Sequence, residues 1–186
     1  MNYIQITDDA LSDMLFKVAA KMQRPRELTA AISVSFLTIT EDNFDMQGRP
    51  AWAGLSAAYL KVRKQGKILS QSNHLRESVQ PFYSDTEAGI SSNLPYSAIH
   101  QFGGTIKHPG GTRYQVIGSG MAVFVSNAFS GPTTGVTKPH DIPMPARPYM
   151  PMDADGNLQA EASAAIYDDV VYYYEKLFDE PLHSVR

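Results

Sequence analysis

The sequence predicts an α+β protein: N-terminal helices, antiparallel β-hairpins forming a sheet, a short central helix and a long C-terminal helix. Three observations lead there. Apolar residues recur at steps of three and four near both ends of the chain. Between those ends the period drops to two on either side of turn residues. In the middle, Leu94–Ile106 carries a helix start, an apolar face and a helix stop in succession.

In chain order, Thr7 is placed to cap a first helix, with Asp8 and Asp9 favourable near the positive end of its dipole. Leu11, Leu15, Val18 and Met22 follow at helical spacing, and Pro25 ends the pattern. Leu28, Ile32, Phe36 and Ile39 repeat that period, although Ile32, Val34 and Phe36 also alternate as a strand would. We read this segment as helix. Phe44–Trp52 reads as a loop punctuated by Gly48 and Pro50. Trp52 at its end either pins the loop to the core or serves as a binding hot spot, and the area a Trp buries favours the first. Ser56 caps a short helix through Ala57, Tyr59, Leu60 and Val62, with Gly66 as its stop.

From Ser78 the period changes. Val79–Tyr83 and Glu87–Ser91 flank Ser84, Asp85 and Thr86 as a β-hairpin, with Pro81 at an edge or bulge. In the central helix Pro95 suits the first turn and Gly103 the left-handed position at the end. Tyr96, Ile99 and Phe102 share one side and are expected to pack, while Ser97, His100 and Gln101 lie elsewhere around the helix. Gly103 and Gly104 release the chain into a second β region. There Arg113–Ile117 and Ala122–Val125, separated by Gly118, Ser119 and Gly120, form a second hairpin. Ile142–Pro151 contains four prolines and is expected to be extended. Asp155 caps the last helix, whose face runs Leu158, Ala162, Ile166, Val170, Tyr173 and Leu177. Tyr172, Tyr173 and Tyr174 put aromatics around more of it than one core face needs, so Tyr172 and Tyr174 are candidate interface residues.

The whole, residues 1–186, is the size of one domain, with a β-hairpin and loop extension at 107–141. Hydrophobic content of 43% and charged content of 19% are those of a globular protein, and no apolar run is long enough to cross a bilayer. Asp8, Asp9 and Asp13 contradict a secretory signal, so the chain is expected to stay where it is made. With no cysteine, disulfides and thiolate metal sites are excluded. A formal charge of −3 argues against a general nucleic-acid binder. The basic cluster Lys61, Arg63, Lys64 and Lys67 reads as a solvated helix face rather than a basic tract.

No catalytic, cofactor or metal site emerges. The five histidines show no HExxH or comparable ligand spacing, and no GxSxG, Walker loop or GxGxxG occurs. Asp168 and Asp169 are adjacent on a helix and point about 100° apart, a poor placement for a catalytic pair.

Several stretches together are similar to one family. Phe44–Ser56, with Gly48, Trp52 and Leu55, resembles the "F…G…W…L(S/T)" segment of the phage virion morphogenesis family, the tail completion proteins of tailed phages related to Mu and P2. Ile68–Ser78 resembles its "IL…SG.L..S", with Asn73 where glycine is usual; Asn tolerates left-handed backbone better than most residues. Tyr96–Gly104 resembles "YA.IHQFGG". Ile142, Pro143 and Pro145–Tyr149, including Arg147 and Pro148, resemble "IPARPF". The resemblance covers roughly residues 8 to 178 in order. It implies a non-enzymatic structural protein of the virion, acting late in tail assembly at the head-proximal tail end or neck. It further implies a ring, commonly of six copies, as tail terminator or head–tail connector. The expected partners are other copies of the chain, tail tube or terminator proteins and connector proteins, with DNA only as passing cargo, no membrane and no cofactor. An assembly factor that leaves the finished particle is the alternative.

Overall fold

The computed structural model describes residues 9–23, 25–61, 63, 66–118 and 120–183. The Thr7 cap with Asp8, Val62 of the third helix, Lys64 of the basic cluster and Ser119 of the second hairpin lie outside the described residues, as do the side chains of Asp9 and Leu11.

Two helices open the chain, α1 (Asp9–Gln23) and α2 (Arg26–Met46), and Pro25 between them is non-helical. The segment whose periodicity fitted helix or strand is helical throughout. It also runs into the stretch expected to be loop: Asn43 and Phe44 are completely buried on α2, and the helix ends only where Gln47 and Gly48 take φ of 59° and 96°. Those left-handed residues turn the Gly48 N–H back onto the Asn43 carbonyl at 2.8 Å. Helix α3 (Ala57–Leu60) is capped by Ser56, whose Oγ accepts from the Tyr59 N–H at 3.2 Å. Asn73, at φ 59°, then leads into α4 (His74–Glu77), a turn of helix the sequence reading did not contain.

The first hairpin pairs β1 (Val79–Tyr83) with β2 (Ala88–Ser92), Pro81 facing Ile90 in a sheet of two strands where every strand is an edge. Thr29 of α2 donates its hydroxyl to the Ser84 carbonyl at 2.6 Å, fastening the helix to the hairpin turn. After α5 (Ser97–Phe102) the strands are β3 (Gly104–His108), β4 (Arg113–Val116), β5 (Ala122–Phe124), β6 (Gly135–Val136) and β7 (His140–Met144). Strands β3 and β7 form an antiparallel ribbon, and β4 lies between β5 and β6 in a three-stranded sheet. The antiparallel strands are thus divided among three small sheets. The second hairpin is joined by β6, within the 107–141 extension.

The last helix, α6 (Ala160–His183), starts later than the Asp155 cap implied. Asp153 organises the turn instead: its carboxylate accepts from the N–H groups of Asp155 and Asn157 and from the Asn157 side chain at 2.8–2.9 Å. Those three bonds hold its carboxyl below the usual range. Helix α6 lies along α2, where Ser35 donates to Asp169 at 2.8 Å, and reaches α1 through the Tyr173 hydroxyl, which donates to the Lys21 carbonyl at 3.1 Å.

The main apolar cluster is Phe44, Trp52, Leu75, Val79 and Tyr149, with Leu37, Ile90, Leu94 and Met150 packed around it. Phe44 meets Trp52 edge-on at 5.9 Å and Tyr149 at 5.4 Å between ring centres, the separations at which aromatic quadrupoles attract. On α1, which packs against α6, Val18 is buried but Leu15, Phe16 and Met22 are exposed.

Candidate functional site

Around Tyr149 the fold solves a specific problem. The stretch from Ala146 to Met152 runs through the interior without belonging to a sheet, so its backbone N–H and C=O groups need partners that no strand ladder supplies. Side chains supply them. Gln101 of α5, only 1% exposed, accepts from the N–H groups of Tyr149 and Met150 at 2.9 and 3.0 Å and donates to the Met152 carbonyl at 3.0 Å. From the other side Asn43 of α2 donates to the Tyr149 carbonyl at 3.1 Å and to Gln159 at 3.0 Å. Arg49 donates to the Asn43 side-chain oxygen at 2.9 Å, and Gln159 donates to the Arg49 carbonyl at 2.9 Å. Trp52 gives its ring N–H to the Pro148 carbonyl at 2.7 Å. Arg147, 5% exposed, turns its guanidinium onto the carbonyls of Ala53 and Gly54 at 2.9 and 3.0 Å.

This arrangement corrects one expectation. The Tyr96, Ile99, Phe102 side of α5 is not its buried side: Tyr96 and Phe102 are 41% and 51% exposed and Ile99 is half-buried. The inward position belongs to Gln101, because the segment 146–152 beside it carries peptide groups that need partners. Pro95 precedes the helix rather than standing in it. Gly103 takes φ 71° and ψ −169°, a conformation confined to glycine, and a Cβ there would sit 2.7 Å from the Ala146 nitrogen. Gly104 follows at φ 143° and starts β3. Trp52, Arg147 and the half-buried Pro148 therefore meet in one clamp with Gln101, Asn43, Arg49 and Gln159, to none of which the sequence reading gave a role.

Beside the clamp lies a cleft of about 830 Å³ bounded by α3, the loop before α4, α5 and the end of β7. Tyr96 and His100 stack edge-on at its wall. Among the described residues the lining includes Arg63, His100 and Arg147 and no carboxylate. Burial, and then the Arg147 charge, hold the His100 imidazole below its ordinary pKa. Burial also lowers Arg147, with Arg63 adding to the effect. Among the described residues, the buried Arg63 Nε and His100 Nδ1 have no hydrogen-bond partner. Burial pushes the Tyr149 phenol up, and its hydroxyl lies near Ser92 and Ser97 without a hydrogen bond of ordinary length to either.

The ribbon and three-stranded sheet, residues 104–144, form an arm. Among the described residues, none from 102 to 146 is buried. Residues 114–137 contain no Asp, Glu, Lys, Arg or His, and Val116, Val123, Phe124 and Val136 are exposed, Phe124 by 67%. At the far end of the ribbon His108 and His140 face each other across the strands and stack at 4.8 Å, a pairing that no sequence spacing announces. Tyr172 is 69% exposed on α6, and Tyr174 is half-buried beside a shallow groove with Val170, Val171 and Phe178. Among the described residues no three His, Asp or Glu converge as a metal site needs, and no helix is long and apolar enough to cross a membrane.

The clamp, the cleft and the root of the arm coincide with the stretches that carried the family resemblance, and comparison with known proteins extends it. A Mu-like prophage protein of Haemophilus influenzae, described as FluMu G protein 2, is 34% identical over 94 residues, 50% of this chain. The alignment spans 64% of that relative's length. The putative capsid assembly protein G of Escherichia phage Mu is 28% identical over 142 residues, covering 72% of each chain. No solved structure matches. The family model described as the phage virion morphogenesis family matches residues 6–171, nearly the whole length, and the chain belongs to that family of phage structural and assembly proteins.

Proposed function

We propose that this protein is a non-enzymatic structural subunit of a tailed-phage virion, built in late in tail assembly at the head-proximal tail end or neck, as one member of a closed ring around the DNA channel. The observation that carries this reading is the arm. A ribbon of two strands is marginal in water on its own, and this one holds up a sheet with apolar side chains and no buried residue. Such a surface finds its missing core on another molecule. Exposed Tyr172 of α6, with Tyr174 nearby on the same helix, offers a second contact away from the arm in sequence. Two unlike surfaces on one subunit suit the heterologous contacts of a cyclic assembly, here of six copies, with tail tube, terminator or connector proteins above and below. The net negative charge suits a channel that DNA passes without sticking.

Mass spectrometry of purified virions, together with low-resolution images of the purified protein, tests the proposal. A ring in the images and a fixed copy number per particle are expected. Absence from finished particles would favour the second reading, an assembly factor that departs, to which the description of the Mu relative as a putative capsid assembly protein lends support.

A further inference from the structure

We infer that the tip of the arm of one copy seats in the cleft between α3 and α5 of the next copy. This rests on the ring reading above and names the surfaces that meet.

The tip is β5 with its flanking turns. Strand β5 is an outer strand of its sheet, so its far edge has backbone carbonyls with no partner strand, and Val123 and Phe124 project from it exposed. The cleft, at about 830 Å³, is within the range of about 300–1,000 Å³ that encloses a compact organic group. Leu55, Ile68, Leu69 and Leu75 give it an apolar floor. Arg63, His100 and Arg147 make up the basic side of its lining.

Charge narrows the occupant. A basic segment is repelled by Arg63 and Arg147, which no lining carboxylate offsets. Nucleic acid needs several free cations, and Arg147 is already committed to two backbone carbonyls. The charge-free run 114–137 meets neither objection, and its exposed apolar side chains match the apolar floor. An acidic segment of some other protein would also suit Arg63, but it would leave the apolar tip uncovered. One contact between tip and cleft covers both, and repeated around an axis it closes a ring with every tip and every cleft filled.

The test exploits the absence of cysteine. Ser72→Cys at the cleft rim and Val123→Cys on the tip both alter exposed positions of the full chain. Under oxidation, a mixture of the two single variants is expected to give a disulfide-linked dimer that neither gives alone, and the double variant a ladder ending at the ring's copy number. In parallel, Phe124→Lys is expected to weaken association about tenfold or more, the scale of an interface anchor, with an unchanged unfolding midpoint. Adding Arg63→Glu should restore association. Light scattering separates the failures. An oligomer that neither cross-links nor shows the charge-swap rescue overturns the tip-in-cleft contact and leaves the ring reading standing. The contact is overturned in the same way if Val123→Cys links instead to another tail protein, or if the tip partitions into phosphatidylcholine vesicles. A chain that stays monomeric both free and in particles overturns both.

Discussion

Replacing Gln101 by Ala is expected to damage this fold more than removing a large aromatic one residue away. Gln101 is 1% exposed, and its loss strips the acceptor from the Tyr149 and Met150 N–H groups and the donor from the Met152 carbonyl. A buried group left unsatisfied costs about 1–3 kcal/mol, so the two N–H groups alone amount to about 2–6 kcal/mol. Phe102, half of whose surface is already in water, should lose only about 1 kcal/mol on truncation to Ala, roughly half the transfer energy of a fully buried side chain. Gln101→Leu separates volume from hydrogen bonding, since it fills the space and leaves the same groups unpaired. Urea unfolding of the three variants at neutral pH gives the ranking: Gln101→Ala and Gln101→Leu far below the parent, Phe102→Ala close to it. If Phe102→Ala unfolds first, the helix is held by its aromatic side and not by the clamp.

Gly103→Val should destabilise by about 1–3 kcal/mol from backbone strain alone, and more from the close approach to Ala146, as a lowered melting temperature would report. Arg147→Lys keeps the charge but not the two-pronged bond to Ala53 and Gly54, and a loss of about 1–3 kcal/mol in urea is expected. His100 titrates lower in the folded chain than its ordinary 6.5, so the unfolded chain binds the extra proton first. Its contribution is therefore complete above pH 6.5 and is lost as pH falls from there toward the folded value. Urea midpoints at neutral and mildly acidic pH should show this loss in the parent and a flatter profile in His100→Gln. Asp45 is held below its ordinary value chiefly by its bond to Arg76 and then by Lys67; its contribution persists above the unfolded carboxylate pKa and fades as pH drops through the folded one. Asp45→Asn should remove that acid-side loss from a pH series of unfolding midpoints.

Local chemistry made much of the fold legible. Pro25, the Ser56 cap, the turn at Ser84–Thr86 and the glycines after Phe102 act over a few residues, and each boundary they mark lies within a few positions of its place. Asn73, where the resemblance implied glycine, does take the left-handed backbone. Burial was less legible, because periodicity reports which residues share a face and not which face is covered. Leu15 and Met22 have the spacing of core residues and lie in water, while Gln101 and Asn43 look like surface residues and are buried. The second case needs the path of a distant strand: only once 146–152 is known to run bare past α5 and α2 do two amides become its partners. The stacked His108 and His140 are hidden for the same reason, since their meeting depends on the pairing of β3 with β7.

The clamp also bears on how this chain would deform under force. Hydrogen bonds are directional and weaken steeply once their angle falls below about 120°, whereas apolar faces can slide with little change in buried area. The C-terminal end of α2, Arg49, the approach to α6 and the segment 146–152 are joined by interlocking amide and guanidinium bonds, so displacing Asn43 distorts its bonds to Tyr149, Gln159 and Arg49 at once. The arm is attached differently, through Gly103 and Gly104 on one side and the end of β7 on the other. Under load the clamp resists as a block, and bending collects at that narrow two-stranded root.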